Sequence, residues 1–515
     1  MTDSIEVNTD KDLGLVVTPP QTAKYMVGRL APFKDDERIL DPCTGPGVFV
    51  NELIKIGVSE RQIHAFDINA QHQENFSDLK ISFEVKDYLL SINPFSRNQF
   101  DVIVGNPPYL NKGSNYIKKN RKSLKKIYGK INAHETYAMF IVNSIWRLKN
   151  GGRLGFITSD SFLTLKTHQR LRKFILNTCK IKEILLPPAN LFDEQDVSTS
   201  PAILLLEKCA GKDHSEERLE HNMRIIPRLQ SEEEYEDPPK ILSITQKNYV
   251  TLPYNIFYFD IEEGVIEMFQ SCPKLKTVLR GYIGMHTHNN RKYIAAIEGT
   301  ELAEIFNKRN EKITKPAKKY KIISKEELKS EKWVPYLKRG GSEQYFRPIM
   351  EALNWEEESI PIYDIPKRAP FKKEGVVISG VSSRLAARYM PPDCYWDTNK
   401  AMGFIIQDKS LSIEYFLGLL NSSLYNYLMK GIINNTNSIQ LSGLHALPFF
   451  NPSKEIQLQI EELVKHIIQN LKEDKNYDYV REQKELNKVI FNFHQQEFGF
   501  SDALKETLDK KYSSF

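Results

Sequence analysis

Residues 101–109 read Asp101-Val-Ile-Val-Gly-Asn-Pro-Pro-Tyr109, and this stretch constrains the fold more than any other. Val102 to Val104 form a short run of β-branched residues, which is typical of a buried strand. Proline lacks the backbone N–H that a strand ladder needs, so the strand must end before Pro107. In open α/β sheets, ligands bind at the carboxyl ends of the strands. The sequence therefore predicts a binding site at Asn106 to Tyr109.

The residues of this turn suit a planar ring that carries an amino group. The side-chain oxygen of Asn106 and the backbone carbonyl of Pro107 are two acceptors for the two hydrogens of an exocyclic amine, and they would direct its lone pair toward an electrophile. Pro108 stiffens the turn, and Tyr109 would stack on the ring, which is worth roughly 1–3 kcal/mol for a base. A short motif is only a hypothesis, and a proline-rich turn after a strand is the alternative.

Composition describes an ordinary globular chain with a mildly basic charge. Its 515 residues are 41% hydrophobic and 27% charged, with a net charge of +5, which is compatible with a nucleic-acid partner. The five cysteines form no Cys-x-x-Cys pair, which argues against a zinc site and against a disulfide framework. The chain has no apolar run near the ~18 residues of a membrane helix, and its first ten residues are too acidic for a signal peptide. We therefore expect a cytoplasmic protein with no metal and no membrane contact.

A glycine loop lies upstream, in Arg38-Ile-Leu-Asp-Pro-Cys-Thr-Gly-Pro-Gly-Val-Phe-Val50. A strand at Ile39 is expected to lead into Asp41, then into a loop with Gly45 and Gly47, then into a helix from Val48. Glycines in such a loop let the backbone approach a ligand closely. The third glycine of a dinucleotide-binding loop and the Lys-Ser/Thr ending of a phosphate-binding loop are both missing. The loop therefore disfavours NAD and ATP as ligands.

Two more acidic residues follow predicted strands. Asp67 ends the stretch His64 to Asp67, where an acid is placed to bind ribose hydroxyls. Asp87 ends the next strand, where it could accept from an adenine amine with Tyr88 beside the ring. Each acid alone is more often a solvated turn residue. Their order along the chain, from the glycine loop through Asp67 and Asp87 to Asn106, favours one shared site.

These motifs resemble the gamma-class N6-adenine DNA methyltransferases, the group that includes the Taq-type modification enzymes. The resemblance extends to Val17-Thr-Pro-Pro20, to the helix, Gly-Gly turn and strand of Tyr137 to Thr158, and to Asn190-Leu-Phe192 with the strand after Ser198. It implies a Rossmann-like class I S-adenosylmethionine-dependent methyltransferase domain of α/β class. One departure is that Cys43 precedes Thr44, whereas many members have a small residue and then Cys before the first loop glycine.

The resemblance also implies a role for each matching residue. The methionine end of S-adenosylmethionine would be surrounded by Thr18, Asp41, Gly45 and Gly47. Asp67 would bind the ribose, and Asp87 with Tyr88 the adenine of the cofactor. The catalytic residues would be Asn106, Pro107, Pro108 and Tyr109. Phe192, together with Tyr109, would stack on the extruded base.

A basic segment, Lys112 to Lys130, directly follows the catalytic motif. A charge run is usually a solvated face, but this position beside a base-binding pocket favours phosphate contacts. We expect a loop that becomes ordered on DNA, with contacts from Lys118, Lys119, Arg121 and Lys122.

The second half is expected to hold a mixed α+β DNA target-recognition domain. Ser231 to Pro239 is acid-rich and ends in Pro-Pro, which is typical of a linker. The predicted domains are residues 1–238 for catalysis, 239–452 for recognition and 453–515 for a helical segment that braces the recognition domain. Basic residues among aromatic ones mark the DNA-binding candidates Lys318, Lys319, Lys338 and Arg339.

The predicted function is site-specific N6-adenine methylation of duplex DNA that protects host DNA in a restriction–modification system. The methyl donor would be S-adenosylmethionine, the target base would be flipped into the pocket, and the chain would be a monomer whose two lobes clasp the duplex. A cognate restriction endonuclease acting on the same site is a further expected partner. The alternatives are an RNA or protein-glutamine methyltransferase and a non-catalytic DNA-binding subunit, and the motif also admits N4 of cytosine as the acceptor.

Overall fold

The structure is a computed structural model that describes residues 13–92, 97–195, 200–258, 260–434 and 436–513. The acidic start at residues 1–10 and Ser198 lie outside these ranges. The chain divides into two compact units, residues 1–260 and 261–515. This division falls after residue 260 rather than after residue 238, and it groups residues 453–515 with the second unit.

The first unit alternates strands and helices. Its strands are β1 (Ile39–Asp41), β2 (Ile63–Asp67), β3 (Ser82–Val85), β4 (Phe100–Gly105), β5 (Leu148–Ser159), β6 (Cys179–Leu185), β7 (Pro201–Lys208), β8 (Asn222–Ile226) and β9 (Leu242–Thr245). Its α-helices are α1 (Pro20–Leu30), α2 (Val48–Lys55), α3 (Asn115–Tyr128), α4 (Thr136–Arg147), α5 (Ser161–Thr164), α6 (Gln169–Thr178), α7 (Ser215–Leu219) and α8 (Lys247–Thr251). Short 3₁₀ turns span Glu60–Gln62, Ala70–Phe76, Lys166–His168, Asp193–Gln195, Glu232–Tyr235 and Pro253–Asn255.

Within the described residues, these strands form one sheet of nine in the order β3-β2-β1-β4-β5-β7-β6-β8-β9. β1 lies between β2 and β4 in parallel register, with Ile39 opposite both Ile63 and Val102. β7 runs antiparallel to β5 and β6. The order of the parallel strands around β1 is that of a Rossmann-like sheet, so the predicted α/β class of the first unit is confirmed.

Local sequence explains why these elements form. Val102, Ile103 and Val104 are fully buried, as expected for a central parallel strand covered on both faces. α1 begins at Pro20, because proline is pre-organised for the first helical position. α2 begins at Val48, as predicted.

The stretch Ser231 to Pro239, predicted to be a linker, is instead packed against α1. The Tyr235 ring stacks on Tyr25 with centroids 4.9 Å apart, and the Thr22 hydroxyl donates to Glu232 over 2.6 Å. β9 then adds to the sheet edge through β8. These contacts, made more than 200 residues from α1 along the chain, keep residues 231–245 in the first unit.

The second unit is a mixed α+β structure. Its strands are β10 (Leu279–Tyr282), β11 (Ile294–Ile297), β12 (Lys321–Ile323), β13 (Trp333–Leu337), β14 (Glu351–Asn354), β15 (Gly375–Ser379), β16 (Ala387–Met390), β17 (Tyr395–Trp396) and β18 (Ala401–Ile406). Its α-helices are α9 (Glu263–Ser271), α10 (Asn290–Tyr293), α11 (Glu301–Glu311), α12 (Ile413–Leu420), α13 (Ser423–Asn426), α14 (Leu441–Ala446), α15 (Lys454–Glu473), α16 (Val480–Phe498) and α17 (Asp502–Thr507). Two π-helical stretches span Tyr427–Ile433 and Leu508–Tyr512, and 3₁₀ turns span Leu275–Thr277, Pro316–Lys318, Glu327–Lys329 and Ile360–Ile362.

As far as the described residues go, the second unit has two sheets, ordered β10-β18-β15-β16 and β12-β11-β14-β13-β17. The predicted helical segment at 453–515 contains α15, which packs closely on α12. A Cβ on Gly418 would lie only 2.5 Å from Ile460, so glycine permits this close contact. α12 ends at Leu420, and the Ser422 side chain caps α13 by accepting from the Tyr425 N–H.

No helix in the described part of the chain combines the length and the apolar character that crossing a bilayer would require.

Candidate active site

The glycine loop between β1 and α2 requires glycine at two positions. Gly45 and Gly47 have φ angles of +53° and +93°, a region that side chains disfavour. A Cβ on Gly45 would lie 2.9 Å from Leu15, and one on Gly47 would lie 2.6 Å from Phe76. Both glycines therefore serve the path and packing of the loop.

Asp67, at the end of β2, forms hydrogen bonds both to the glycine loop and to the turn that follows β2. Its Oδ2 accepts from the Gly45 N–H over 2.8 Å, and its Oδ1 accepts from the Asn69 N–H over 2.8 Å. The carboxylate is 8% exposed. Each carboxylate oxygen has more than one acceptor direction, so Asp67 can hold the loop and also accept from a ligand.

Asp87 lies two residues past the end of β3, and three groups donate hydrogen bonds to its carboxylate. Its Oδ1 accepts from the Leu89 and Leu90 N–H groups over 3.0 and 3.1 Å. The hydroxyl of Tyr116 on α3 lies 3.0 and 3.1 Å from its two oxygens. Burial raises the pKa of Asp87, while these hydrogen bonds act in the opposite direction.

Tyr88 has its hydroxyl in the core, 2.9 Å from that of Ser144, and its ring below the Arg147 guanidinium. Only its ring is therefore available to a ligand in the cleft.

Asn106 follows β4 directly and is held in one orientation. Its Nδ2 donates to the Val16 carbonyl over 2.8 Å, and the Cys43 thiol donates to its backbone carbonyl over 3.3 Å. Its Oδ1 is buried and has no hydrogen-bond partner among the residues that the structure describes. A buried acceptor left unpaired costs free energy, so this oxygen is oriented to receive a donor from a ligand.

Thr136, the first residue of α4, holds the turn after Asn106 in place by hydrogen bonds. The Thr136 hydroxyl donates to the Pro108 carbonyl and accepts from the Leu110 N–H over 3.0 Å. The Thr136 N–H donates to the Leu110 carbonyl over 3.0 Å as well. The first residue of α4 therefore holds both sides of Tyr109.

An open cleft of about 640 Å³ joins these groups. Five predicted site residues line it, namely Asp67, Asp87, Tyr88, Asn106 and Pro108, and Cys43, Tyr116 and Thr136 line it as well. Pro107 and Tyr109 belong to the same turn. The few polar groups among apolar walls are typical of a small-molecule site.

Thr18 and Asp41 are buried and are not among the residues that line this cleft. The Thr18 hydroxyl and Asp41 Oδ2 are buried without a hydrogen-bond partner in the described ranges. Burial, with a smaller contribution from the Asp67 charge, raises the pKa of Asp41 to about 8. Two unpaired oxygens fit a ligand that brings N–H donors or a positive charge.

Tyr109 and Phe192 were predicted to stack on the extruded base, and in the structure their rings contact each other. Their ring centroids are 6.2 Å apart at an interplanar angle of 65°. Phe192 is 2% exposed within the apolar core of the first unit. Phe192 therefore offers no free face to a base in this conformation.

The basic segment after the catalytic motif is a helix, α3, where a loop was expected. The Ser114 hydroxyl caps it by accepting from the Ile117 N–H over 3.3 Å. Ile117, Leu124 and Tyr128 are buried at helical spacing. This apolar spacing indicates a helix, but the many basic residues of the segment suggested a loop instead. The predicted DNA contacts Lys118, Lys119, Arg121 and Lys122 are all exposed on this helix.

The DNA-binding candidates of the second unit divide into two pairs. Lys318 and Lys319 are exposed. Lys338 forms an ion pair with Asp397, and Arg339 Nε lies 3.0 Å from Glu351 Oε1. Lys338 and Arg339 are therefore partly neutralised, which the sequence could not show because their partners are distant along the chain.

The residues present fit S-adenosylmethionine. The cleft offers Asp67 and Asp87 for hydroxyl and amine donors, and the buried, unpaired oxygens of Thr18 and Asp41 lie outside its lining. These acceptors suit a cofactor that has a ribose, an adenine amine and a cationic amino acid end.

Residues 36–192 match the family model described as Eco57I restriction-modification methylase. The type II methyltransferase M.HincII of Haemophilus influenzae is 31% identical over 207 residues, which cover 39% of this chain and 38% of that protein. The type II methyltransferase M.AccI of Acinetobacter calcoaceticus is 22% identical over 475 residues, which cover 86% of this chain and 84% of that protein.

Two solved structures share the fold. The type IIL restriction-modification enzyme MmeI, solved in complex with DNA, has a TM-score of 0.52 and 11% identity over 94% of this chain and 72% of its own. A nuclease-deletion mutant of the type ISP enzyme LlaGI has a TM-score of 0.51 and 14% identity over 88% of this chain and 54% of its own. S-adenosylmethionine is the cofactor that the matching family and relatives imply. Through its methylase region at residues 36–192, the chain is a relative of the type II restriction-modification methyltransferases.

Proposed function

We propose that this chain is a site-specific DNA methyltransferase that modifies N6 of adenine in a restriction–modification system. The observation that carries this proposal is the buried, unpaired Oδ1 of Asn106 at the cleft. A rigid acceptor at this place suits a base amine and needs no covalent enzyme intermediate.

The residues of the chain would act by positioning. Asn106 Oδ1 and the Pro107 carbonyl would accept from the two hydrogens of the amine and orient its lone pair. S-adenosylmethionine, when bound, supplies the methyl group. Asp67 would bind the ribose and Asp87 the adenine of the cofactor, while Thr18 and Asp41 would serve its methionine end. The amine proton leaves after attack, so a general base with a shifted pKa is not required.

A target adenine inside a duplex must leave the stack to reach this cleft. Tyr109 would stack on the flipped base, and the base would take the place at the Tyr109 ring that the Phe192 edge now covers. α3, with six exposed basic residues shortly after the catalytic turn, would contact the phosphates. The second unit would read the sequence, and a cognate endonuclease would act on the same site.

The test is long-read modification sequencing of DNA from a methylation-free host that expresses the chain, beside the Asn106→Ala variant. We expect one methylated-adenine motif with the wild type and none with Asn106→Ala. Cofactor affinity of both purified proteins, measured by calorimetry, serves as the control for folding. Asn111→Ala is a matched control, since Asn111 lies five residues away and its side chain caps the Gly113 N–H.

The outcomes separate the alternatives. A methylated cytosine motif would retain the mechanism and change the acceptor to N4. Unmodified DNA from a chain that binds the cofactor would overturn the DNA proposal and favour RNA or a protein glutamine as substrate. Modification that persists in Asn106→Ala would contradict the assigned catalytic turn.

A further inference from the structure

Two histidines and an aspartate of the second unit come together on its surface. His286 and His288 lie in the turn after β10, and Asp364 lies in the segment before β15. One potential ligand atom from each of the three lies within 4.8 Å of the other two. Sequence spacing alone indicates only a loop pair for the two histidines, and it is the fold that brings the aspartate to them.

The backbone places the three side chains on one outer face. Met285 and Thr287 are fully buried, whereas His286 and His288 are exposed, so this stretch alternates inward and outward as a strand does. Tyr363, the neighbour of the aspartate, is 6% exposed and belongs to the same apolar cluster as Met285. The buried residues therefore anchor both segments and leave the three potential ligands on the surface.

Hydrogen bonds fix the two segments against each other. The His286 N–H donates to the Asp364 carbonyl over 3.1 Å, and the Asp364 N–H donates to the His286 carbonyl over 3.0 Å. The Thr287 hydroxyl donates to Asn290 Oδ1 over 2.7 Å, and His288 has a φ angle of +57°. Residues other than glycine are uncommon in that region and persist where the surrounding structure holds them. The backbone of the cluster is therefore set independently of any ligand.

The side-chain distances suit a single ion between the three groups. His288 Nε2 lies 2.9 Å from Asp364 Oδ2, and the rings of His286 and His288 have centroids 4.6 Å apart at an interplanar angle of 88°. Two ligand atoms that each lie about 2.0–2.1 Å from a tetrahedral Zn²⁺ are about 3.4 Å from each other. Small rotations about side-chain bonds would bring the present atoms to that spacing.

The donor set selects the class of metal. Imidazole nitrogens suit Zn²⁺ and its neighbours in the first transition row, whereas Mg²⁺ and Ca²⁺ prefer sites made of oxygen ligands. Within the described ranges, Asp364 forms no ion pair with a lysine or arginine, so its charge is available to a cation. A second group of potential ligands, Cys209, His214 and Glu217, is less suited. There the Lys180 ammonium already pairs with Glu217 and opposes a second cation.

We infer that His286, His288 and Asp364 bind a divalent transition-metal ion such as Zn²⁺. Three protein ligands leave at least one coordination position for water. The ion would join two segments that are distant along the chain, and an ion that binds only the folded state stabilises it. This inference does not rest on the proposed function. It departs from the sequence-based expectation of no metal, which rested on the spacing of the cysteines.

The experiment uses the full-length chain, freed of metal with a chelator and then desalted. Calorimetry with ZnCl₂ measures affinity and stoichiometry, MgCl₂ is the comparison, and the Tm is measured with and without each ion. The test variants are His288→Ala and Asp364→Asn. The matched control is His466→Ala, because His466 is also exposed and lies 3.4 Å from Glu482, but belongs to no group of three potential ligands in the described part of the chain.

We expect one Zn²⁺ to bind the wild type and to raise its Tm by a few degrees, with no comparable effect of Mg²⁺. Changes to groups that only support metal ligands cost about 10–100-fold in affinity. His288→Ala removes a ligand and should therefore cost at least about 100-fold, and Asp364→Asn at least about tenfold. His466→Ala should bind Zn²⁺ as the wild type does. The same Zn²⁺ affinity in both test variants as in the wild type would overturn the inference.

Two further measurements separate this site from the other group of potential ligands. His214→Ala should retain Zn²⁺ binding, and a loss confined to this variant would assign the ion to Cys209 and contradict the inference. Co²⁺ in place of Zn²⁺ should give only weak visible absorption, as nitrogen and oxygen ligands do. A strong near-ultraviolet charge-transfer band would indicate a thiolate ligand and would also contradict it. Asn106→Ala, in the first unit, should bind Zn²⁺ normally, so a failure of the proposed function is visible separately.

Discussion

The Tyr116 hydroxyl lies 3.0 and 3.1 Å from the two carboxylate oxygens of Asp87. Tyr116 belongs to the basic helix α3, and Asp87 belongs to the cofactor cleft, so one hydrogen-bonded pair joins the expected DNA-contacting helix to the expected adenine-binding acid. The sequence placed Tyr116 only among basic residues. The contact makes it a positioning residue for Asp87.

This contact predicts a pH dependence of cofactor affinity. Burial raises the pKa of Asp87 above its ordinary value of 3.8, and the Tyr116 hydrogen bond counteracts that rise. In the role proposed for it, Asp87 accepts from the cofactor amine as an ionised carboxylate, so affinity should fall as the pH drops through the Asp87 pKa. Tyr116→Phe removes a hydrogen bond to the charged form and should raise that pKa further. The fall in affinity should then begin at a higher pH.

Calorimetric titration of S-adenosylhomocysteine, from neutral pH down toward the ordinary aspartate value of 3.8, would measure this shift. Tyr128→Phe is the matched control, because Tyr128 is on the same helix and donates to the Leu89 carbonyl over 2.8 Å rather than to a carboxylate. The same pH profile in Tyr116→Phe as in the wild type would contradict the assigned role.

Asp41→Asn should stabilise the free protein and weaken cofactor binding. Burial raises the folded-state pKa of Asp41 to about 8, whereas the unfolded value is near 3.9. Between about pH 4 and about pH 8 the folded state keeps a proton that the unfolded chain has lost, so this group lowers stability as the pH rises across that window. Asparagine cannot ionise, and its Oδ1 can still accept from the Cys43 N–H, as Asp41 Oδ1 does over 3.2 Å.

The Tm of Asp41→Asn should therefore exceed that of the wild type by several degrees at pH 8 and by little at pH 4.5. A change of 1 kcal/mol corresponds to about 2–4 °C in a domain of this size. Cofactor-induced stabilisation should shrink in the variant, because the unpaired carboxylate oxygen is gone. Scanning calorimetry with and without S-adenosylhomocysteine measures both effects. An equal gain at the two pH values would mean that Asp41 is ionised in the folded state.

Thr136→Val should slow methyl transfer while leaving cofactor affinity unchanged. Valine has the shape of threonine but can neither donate to the Pro108 carbonyl nor accept from the Leu110 N–H. A small displacement of a catalytic turn costs up to about 100-fold in rate, so we expect kcat to fall about 10- to 100-fold. Thr136→Ser keeps the hydroxyl and should restore most of the rate. An equal loss in the serine variant would indicate a packing role for the methyl group instead.

The sequence predicted the part of the site that depends on strand order alone. Asp67, Asp87 and Asn106 each follow a strand, and the parallel order β3-β2-β1-β4 brings their strand ends to one edge. The pairing of Asp87 with Tyr116 and of Thr136 with Pro108 depends on where α3 and α4 pack, which no local pattern encodes. The burial of Phe192 depends on a core cluster drawn from residues 16 to 235.

The division of the structure after residue 260 depends on contacts of the same kind. Ser231 to Pro239 has linker composition, but Tyr235 finds a long-range partner in Tyr25. Composition reports the solvent preference of a segment and carries no information on a partner more than 200 residues away.

Lysine-to-alanine changes on α3 should weaken DNA binding in a salt-dependent way. Each phosphate contact contributes about 0.9 to the slope of log affinity against log salt, so Lys118→Ala combined with Lys122→Ala should reduce the slope by about 2 if both contact phosphates. Lys173→Ala, which removes an exposed lysine from α6 of the same unit, should leave the slope nearly unchanged. Anisotropy with duplex DNA at 50 to 200 mM salt provides the measurement. A slope that falls equally in the α6 variant would show that net charge, and not the position of α3, governs DNA affinity, and the placement of DNA beside the catalytic turn would then lose its support.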